Sequence, residues 1–531
     1  MIQHKYPIIW EKLRQHADTL KQIHLRDLFA EDSQRFQQFS RKQDGILIDF
    51  SKNFLTQTTI ELFIELANAC DLRNQIEALF RGDKLNHTEN RAALHTALRQ
   101  PEPRIDIKQE LSRMKIFVNQ VLSGEWVGFS GKRITDVVNI GIGGSHLGAA
   151  LLTEALTAYR TPLNIHFVSN ADGISISSLI NKLNPETTLF IITSKTFSTQ
   201  EALLNAKALI QWFEETSGHS PYEDHMIGVS VNSNAMTAFG IPLANQFRFW
   251  DFVVGRFSIW SAVGLVVALA IGFDQFEALL QGAAEVDEHF REANFTENIP
   301  FLMALLNIFY INFWQAQTHA ILPYHSHLKL LPGYLQQLCM ESLGKSINNT
   351  GHEINYHTGN IIWGDLGSNG QHAFYQLLHQ GKFFVPIDFI VPIQLEHHLS
   401  EYTDFNIANV LAQSQALMAG KSSAEVYQEM QQQGITQAEI TRLLPHRVYP
   451  GNRPSTLIVL NKLTPKTMGQ LIALYEHKVF VQSVIWDINP FDQWGIELGK
   501  SLTKQYLSLM QNFSTTDGIL THVQKIMAEN Q

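Results

Sequence analysis

LFIITSKTFSTQE, residues 189–201, decides how this chain is read, because an apolar run of strand length discharges into Ser194, Lys195, Thr196, Ser198 and Thr199. Hydroxyls around one cation, where a strand gives way to a helix, suit a phosphate group. Backbone N–H groups and the helix dipole stabilise the anion, the hydroxyls give direction and lysine gives charge. The same residues also arise as ordinary turn and N-cap chemistry at strand ends. The neighbouring segments separate the two readings.

From about residue 133 the apolar runs VVNI, NIHFVS, TLFIIT and MIGVSV alternate with stretches of helical length. That alternation predicts a parallel sheet flanked by helices. A second set, HAILPY, NIIWG, FFVPIDFIV and STLIVLN, follows with the same rhythm. The fold class is therefore α/β, with two αβα domains and parallel-type sheets. Before them the chain reads as mostly helical, with one short strand over residues 46–48 and a capping box from Asn86 to Glu89 ahead of RAALHTALR. No repeat is visible, and the end of the chain reads as helix.

The first strand of the first set runs into GIGGSHLG, residues 141–148, where doubly wound sheets hold phosphate-bearing ligands. The dinucleotide fingerprint fails, since His146 stands where its third glycine belongs and the next strand ends in Ser169 and Asn170 rather than a carboxylate. A Walker lysine fails too, because each Gly-Lys-Ser triplet lacks the upstream glycine. Gly144 and Ser145 with the 194–199 hydroxyls then favour a small monophosphate ester.

With 531 residues, 45% of them hydrophobic and 17% charged, the chain can bury large cores, and its length fits roughly two or three domains. A formal charge of -10 provides no basic field for nucleic acid or acidic membranes, so an anionic ligand must be captured by local geometry. Cys70 and Cys339 are too few for a disulfide framework and read as free thiols in a reducing compartment. The N-terminal segment lacks a signal-peptide pattern, and a cytoplasmic location is expected. The uncharged run FSIWSAVGLVVALAIGF, residues 257–273, is short for a membrane span and reads as a buried helix between layers.

Four further segments carry chemistry-bearing side chains. In DFVVGRFSIWSAVG, residues 251–264, Arg256 sits at the edge of the apolar run, either snorkelling or aimed into a pocket. In LQQLCMESLGKS, residues 335–346, Glu341 beside apolar residues suits a general base or a structural salt bridge. His372 follows a Gly/Asn/Ser turn at the start of a helix. Gln493 and Lys500 in FDQWGIELGK, seven apart, are placed on one face of a helix, as any exposed amphipathic helix would place them. His352 and His357 lack zincin spacing, and no metal site is read.

Taken together and in order, NHTENRAALHTALR, GIGGSHLG, SKTFSTQE, DFVVGRFSIWSAVG, MESLGKS, WGDLGSNGQHAFYQLLHQG and FDQWGIELGK resemble the glucose-6-phosphate isomerase family over nearly the whole chain. The resemblance implies two sugar-isomerase (SIS) type domains at residues 116–280 and 281–490. It also implies a mostly helical region at 1–115 packed on the larger domain and a C-terminal helical arm at 491–531. It further implies a homodimer with shared active sites, no cofactor, and a sugar phosphate as the partner molecule rather than nucleic acid or membrane. Gly144, Ser145, Ser194, Lys195, Thr196 and Thr199 match substrate-phosphate positions. Glu341 matches the base working between C1 and C2, and Arg256 the cation beside the cis-enediolate. His372, contributed in the family by the neighbouring subunit, and Lys500 match the ring-opening pair. Gln337 and Gln493 match positioning amides, and Glu201 a residue orienting His372. His146, Leu343, Val254 and Ile496 depart from the family pattern without replacing a proposed catalytic group. The activity implied is interconversion of glucose 6-phosphate and fructose 6-phosphate in glycolysis and gluconeogenesis. A catalytically silent sugar-phosphate-binding regulator on the same domains is the competing class, disfavoured because the full acid–base set is present.

Overall fold

The computed structural model describes residues 5–394, 398–512 and 518–529. Eleven strands form two sheets among them: β1 (Ser40–Gln43), β2 (Ile46–Asp49), β3 (Asp136–Ile140), β4 (Asn164–Val168), β5 (Thr188–Thr193), β6 (Met226–Ser230), β7 (Gln246–Arg248), β8 (Thr318–Pro323), β9 (Ile361–Trp363), β10 (Ile387–Gln394) and β11 (Ser455–Lys462). Each apolar run read as a strand in the sequence overlaps one.

The first sheet is wholly parallel, in the order β4-β3-β5-β6-β7. Strand β5 is buried at all six positions, as a strand covered on both faces must be. The chain winds from β3 outward to β4 and then returns to β5 on the other side. That reversal opens a crevice at the carboxyl ends of β3 and β5, where open α/β sheets take their ligands. Both the glycine loop and the hydroxyl loop lie there.

The second sheet runs β1-β2-β11-β10-β8-β9, with β8 to β11 parallel and the hairpin β1–β2 attached antiparallel to β11. Gly45, at φ +84°, takes the left-handed position between the two hairpin strands that a side chain resists.

The apolar run at 257–273 is not one helix. It divides into 3-10 turns at Gly255–Phe257 and Ala262–Gly264 and a seven-residue helix, Leu265–Ile271, buried at every position. Gly272, at φ +85°, ends that helix before Phe273–Glu292 begins. Among the described residues no helix is long and apolar enough to cross a membrane. The Asn86 reading is also corrected. Asn86 caps no helix but bridges to Arg91 in a tight loop, its amide donating to Glu89 at 2.6 Å, and only a 3-10 turn, His95–Leu98, follows.

A buried ionic cluster supports the segment carrying Arg256. Arg99 donates to both carboxylate oxygens of Asp287 at 2.6 and 2.8 Å and to Glu476 at 2.5 Å, and Trp260 donates to the other oxygen of Glu476 at 2.8 Å. Charges without water require such full pairing. The chain divides into two units, Met1–Pro490 and Phe491–Gln531. Within the second, helices Glu497–Asn512 and Gly518–Glu529 follow a 3-10 turn, Trp494–Ile496.

Candidate active site

The glycine loop after β3 is shaped by a buried polar pair. Thr193 donates to Asn139 at 3.2 Å, and the Asn139 amide donates to the Ser145 carbonyl at 3.2 Å. Asn139 is the polar residue inside the strand run VVNI, a signal that sequence reading passed over. Gly143 turns the loop at φ +59°, and a Cβ on it would lie 3.1 Å from the Gln337 amide nitrogen. At Gly144 a Cβ would lie 2.2 Å from the Gly255 carbonyl oxygen, so only glycine lets the two backbones meet. The glycine loop thus touches both the Arg256 segment and the Gln337 turn.

After β5, Ser194 and Thr199 join hydroxyls at 3.0 Å, and Thr196 and Ser198 at 2.7 Å. Between them Phe197 is held at φ +54°, an unfavourable conformation for a bulky residue, with its side chain buried in the apolar cluster that includes Ile140 of β3 and Ile192 of β5. Thr199 begins the eighteen-residue helix Gln200–Ser217 without capping it through its side chain. The first N–H groups of that helix are a ready anion site. The Lys195 ammonium donates to the carbonyls of Asp251 and Val253, at 3.1 and 2.8 Å. Burial, and then the charge of Arg91, push it down to about 8.

Glu341 closes a π-helical turn, Gln337–Glu341, that continues the helix Leu331–Gln336. Such turns are rare and concentrate at functional sites. This helix packs on Leu147–Ala155, where Gly148 leaves a Cβ-sized space 3.4 Å from Tyr334. Arg256 is 3% exposed. Its Nη1 stands 3.3 Å from Glu341 Oε2, its Nε donates to Ser342 Oγ at 2.6 Å, and Nη2 donates to the Pro490 carbonyl. Arg256 is buried and paired, so the snorkelling reading does not hold. Ser342, adjacent to Glu341 in MESLGKS, was not singled out from sequence.

The phosphoglucose isomerase family model matches residues 49–519. The chain belongs to that family. It is 47% identical to glucose-6-phosphate isomerase 2 of Chromobacterium violaceum over 97% of this chain and 96% of that protein. It is 48% identical to glucose-6-phosphate isomerase of Methylococcus capsulatus over 94% of each. The crystal structure of a glucose-6-phosphate isomerase from Chlamydia trachomatis superposes with a TM-score of 0.84 at 30% identity, covering 98% of this chain and 99% of that one.

Four more residues match the phosphoglucose isomerase pattern. His372 follows the short helix Gly367–Gln371 beyond β9 and is exposed. Glu201 is exposed in the first turn of its helix. Gln493 and Lys500 belong to the second unit, where Gln493 precedes the 3-10 turn and Lys500 lies on the following helix, paired with Glu497 at 2.8 Å. They do not share one continuous helix, which corrects the expectation of a common face. Of the departures from the family pattern, Leu343 and Val254 are buried apolar packing. The His146 ring stands edge-on to Phe167 of β4 at 5.5 Å, with Nδ1 buried and without a hydrogen-bond partner.

Proposed function

We propose that this chain, whose relatives are named glucose-6-phosphate isomerases, interconverts glucose 6-phosphate and fructose 6-phosphate in glycolysis and gluconeogenesis. The observation that carries the reading is the Arg256–Glu341 pair set against the glycine loop. In this reading the ester phosphate sits between Gly144–Ser145 and the hydroxyls of Ser194, Thr196 and Thr199, at the first sheet's crevice. Binding energy from that unreactive group holds the open chain in register. The Glu341 carboxylate takes the proton from C2 and returns it to C1, and Arg256 stabilises the charge on the enediolate oxygens. A proton moves between adjacent carbons, so the step calls for no electron acceptor.

Ring opening falls to His372 and Lys500, with Glu201 orienting the histidine and with Gln337 and Gln493 positioning the sugar. His372 is taken to come from a second copy, as the family resemblance implies, and a homodimer follows from the reading. Residues 116–280 then form the phosphate-binding domain and 281–490 the domain bearing the base. Residues 1–115 form a mostly helical region that lends β1 and β2 to the second sheet, and 491–531 an arm toward the partner subunit. A cytoplasmic location goes with this metabolic role. The test is a coupled assay of the purified protein with fructose 6-phosphate, alongside sedimentation. Turnover in a dimer is expected, and absence of turnover contradicts the reading.

A further inference from the structure

The segment 250–254 that leads into Arg256 has neither helix nor strand to satisfy its backbone. Its carbonyls at three successive residues nevertheless all accept hydrogen bonds from outside donors. Lys195 Nζ reaches those of Asp251 and Val253, at 3.1 and 2.8 Å, and the Leu94 N–H reaches that of Phe252 at 3.0 Å. Val253 is fully buried, so its carbonyl has no water to fall back on. Three residues farther on stands Arg256, and between them Gly255 lies pressed under Gly144.

An ammonium has three N–H donors, and two of Lys195's are spent on this segment. We infer that Lys195 is a positioning residue: its ammonium clamps the 251–253 backbone and thereby aims Arg256 at the reacting carbons, rather than serving chiefly as the cation that binds the ester phosphate. Affinity for phosphate then comes from backbone N–H groups and hydroxyls, while lysine ties the loop that binds the ester to the loop that stabilises the transition state. Burial and then the charge of Arg91 lower the ammonium pKa against the opposing pull of Asp251 and Glu89, which agrees with a group held mainly by carbonyls. The inference rests on the isomerase reading for Arg256, and it separates two jobs that one cation in a phosphate loop would ordinarily be assumed to combine.

The test compares wild type with Lys195→Met and Lys195→Arg in the full chain, measuring kcat with fructose 6-phosphate and the inhibition constant for inorganic phosphate. For Lys195→Met the expected result is a kcat loss of about 10- to 100-fold with the phosphate inhibition constant raised by less than about threefold. A rise in that constant equal to or larger than the fall in kcat, or an unchanged kcat, overturns the inference. Hydrogen exchange over residues 250–257 gives a second readout that needs no turnover, so it decides this point even if the isomerase reading fails. Faster exchange in Lys195→Met is expected, and unchanged exchange contradicts the clamp. Should that variant not fold, wild type with saturating inorganic phosphate serves. Unchanged protection of 250–257 supports the clamp, and accelerated exchange shows the ammonium drawn off to the anion and overturns it.

Discussion

Arg256 and Glu341 meet at 3.3 Å although they come from different layers, Arg256 from the segment after β7 of the first sheet and Glu341 from the π-helical turn that follows β8 of the second. The arginine has little freedom, because Ser342 Oγ and the Pro490 carbonyl take two of its other donors. A third nitrogen, Nη1, faces the Glu341 carboxylate. Preorganised charge of this kind costs no rearrangement when the transition state forms.

Arg256→Lys keeps a positive charge but cannot reach Ser342, Pro490 and Glu341 together. A kcat loss of about 100- to 1,000-fold is expected with KM for fructose 6-phosphate changed far less. Steady-state kinetics check it, and a variant that loses KM alone would remove Arg256 from the chemical step.

Gly144→Ala would drive a methyl group to 2.2 Å from the Gly255 carbonyl oxygen, a contact between two backbones that no side-chain rotation relieves. Overpacking of this type costs about 1–3 kcal/mol. A lower Tm together with at least a tenfold fall in turnover is expected, because the displaced segment carries Arg256. Calorimetry and the coupled assay read both.

Asp388 lies buried on β10 of the second sheet, 3.1 Å from His319 Nε2, accepting from the Tyr475 hydroxyl at 2.8 Å, with Lys478 close by. Burial by itself would raise its carboxyl, but the nearby cationic groups and hydrogen bonds outweigh it and hold the carboxyl at about 2. A folded-state value below the unfolded one contributes stability above pH 3.8 that is lost as pH falls through about 2. The contribution is on the order of 2 kcal/mol at neutral pH, and about half is gone by pH 3. Asp388→Asn is therefore expected to be less stable than wild type at pH 6, with the gap narrowing at pH 4 and further at pH 3 in urea unfolding. A gap of constant size would contradict the assignment.

Strand runs were legible because β5 and its neighbours are buried on both faces and so read as continuous apolar stretches. β1 was missed because SRKQ is polar, although the Asp44–Gly45 dipeptide beside it marks a hairpin turn. β7 is only three residues long and carries no pattern. The 257–273 run read as one helix because composition reports burial and not continuity, while Gly264 and Gly272 divide it. Within the site, Glu341, Arg256 and the two loops stood out by residue type. Ser342, Asn139 and the carbonyls that receive Lys195 did not, since their roles arise only when distant segments pack.

In the proposed reaction the crevice of the first sheet and the Glu341 carboxylate serve one substrate molecule. The most direct measurement is turnover of fructose 6-phosphate in deuterated water by wild type and Glu341→Gln, following deuterium at C2 of the glucose 6-phosphate formed. Wild type should label C2, and Glu341→Gln should lose both isomerisation and labelling by at least about 100-fold while inorganic phosphate still binds with near wild-type affinity. Equal labelling by the two proteins, or loss of phosphate binding in step with loss of turnover, would contradict the account.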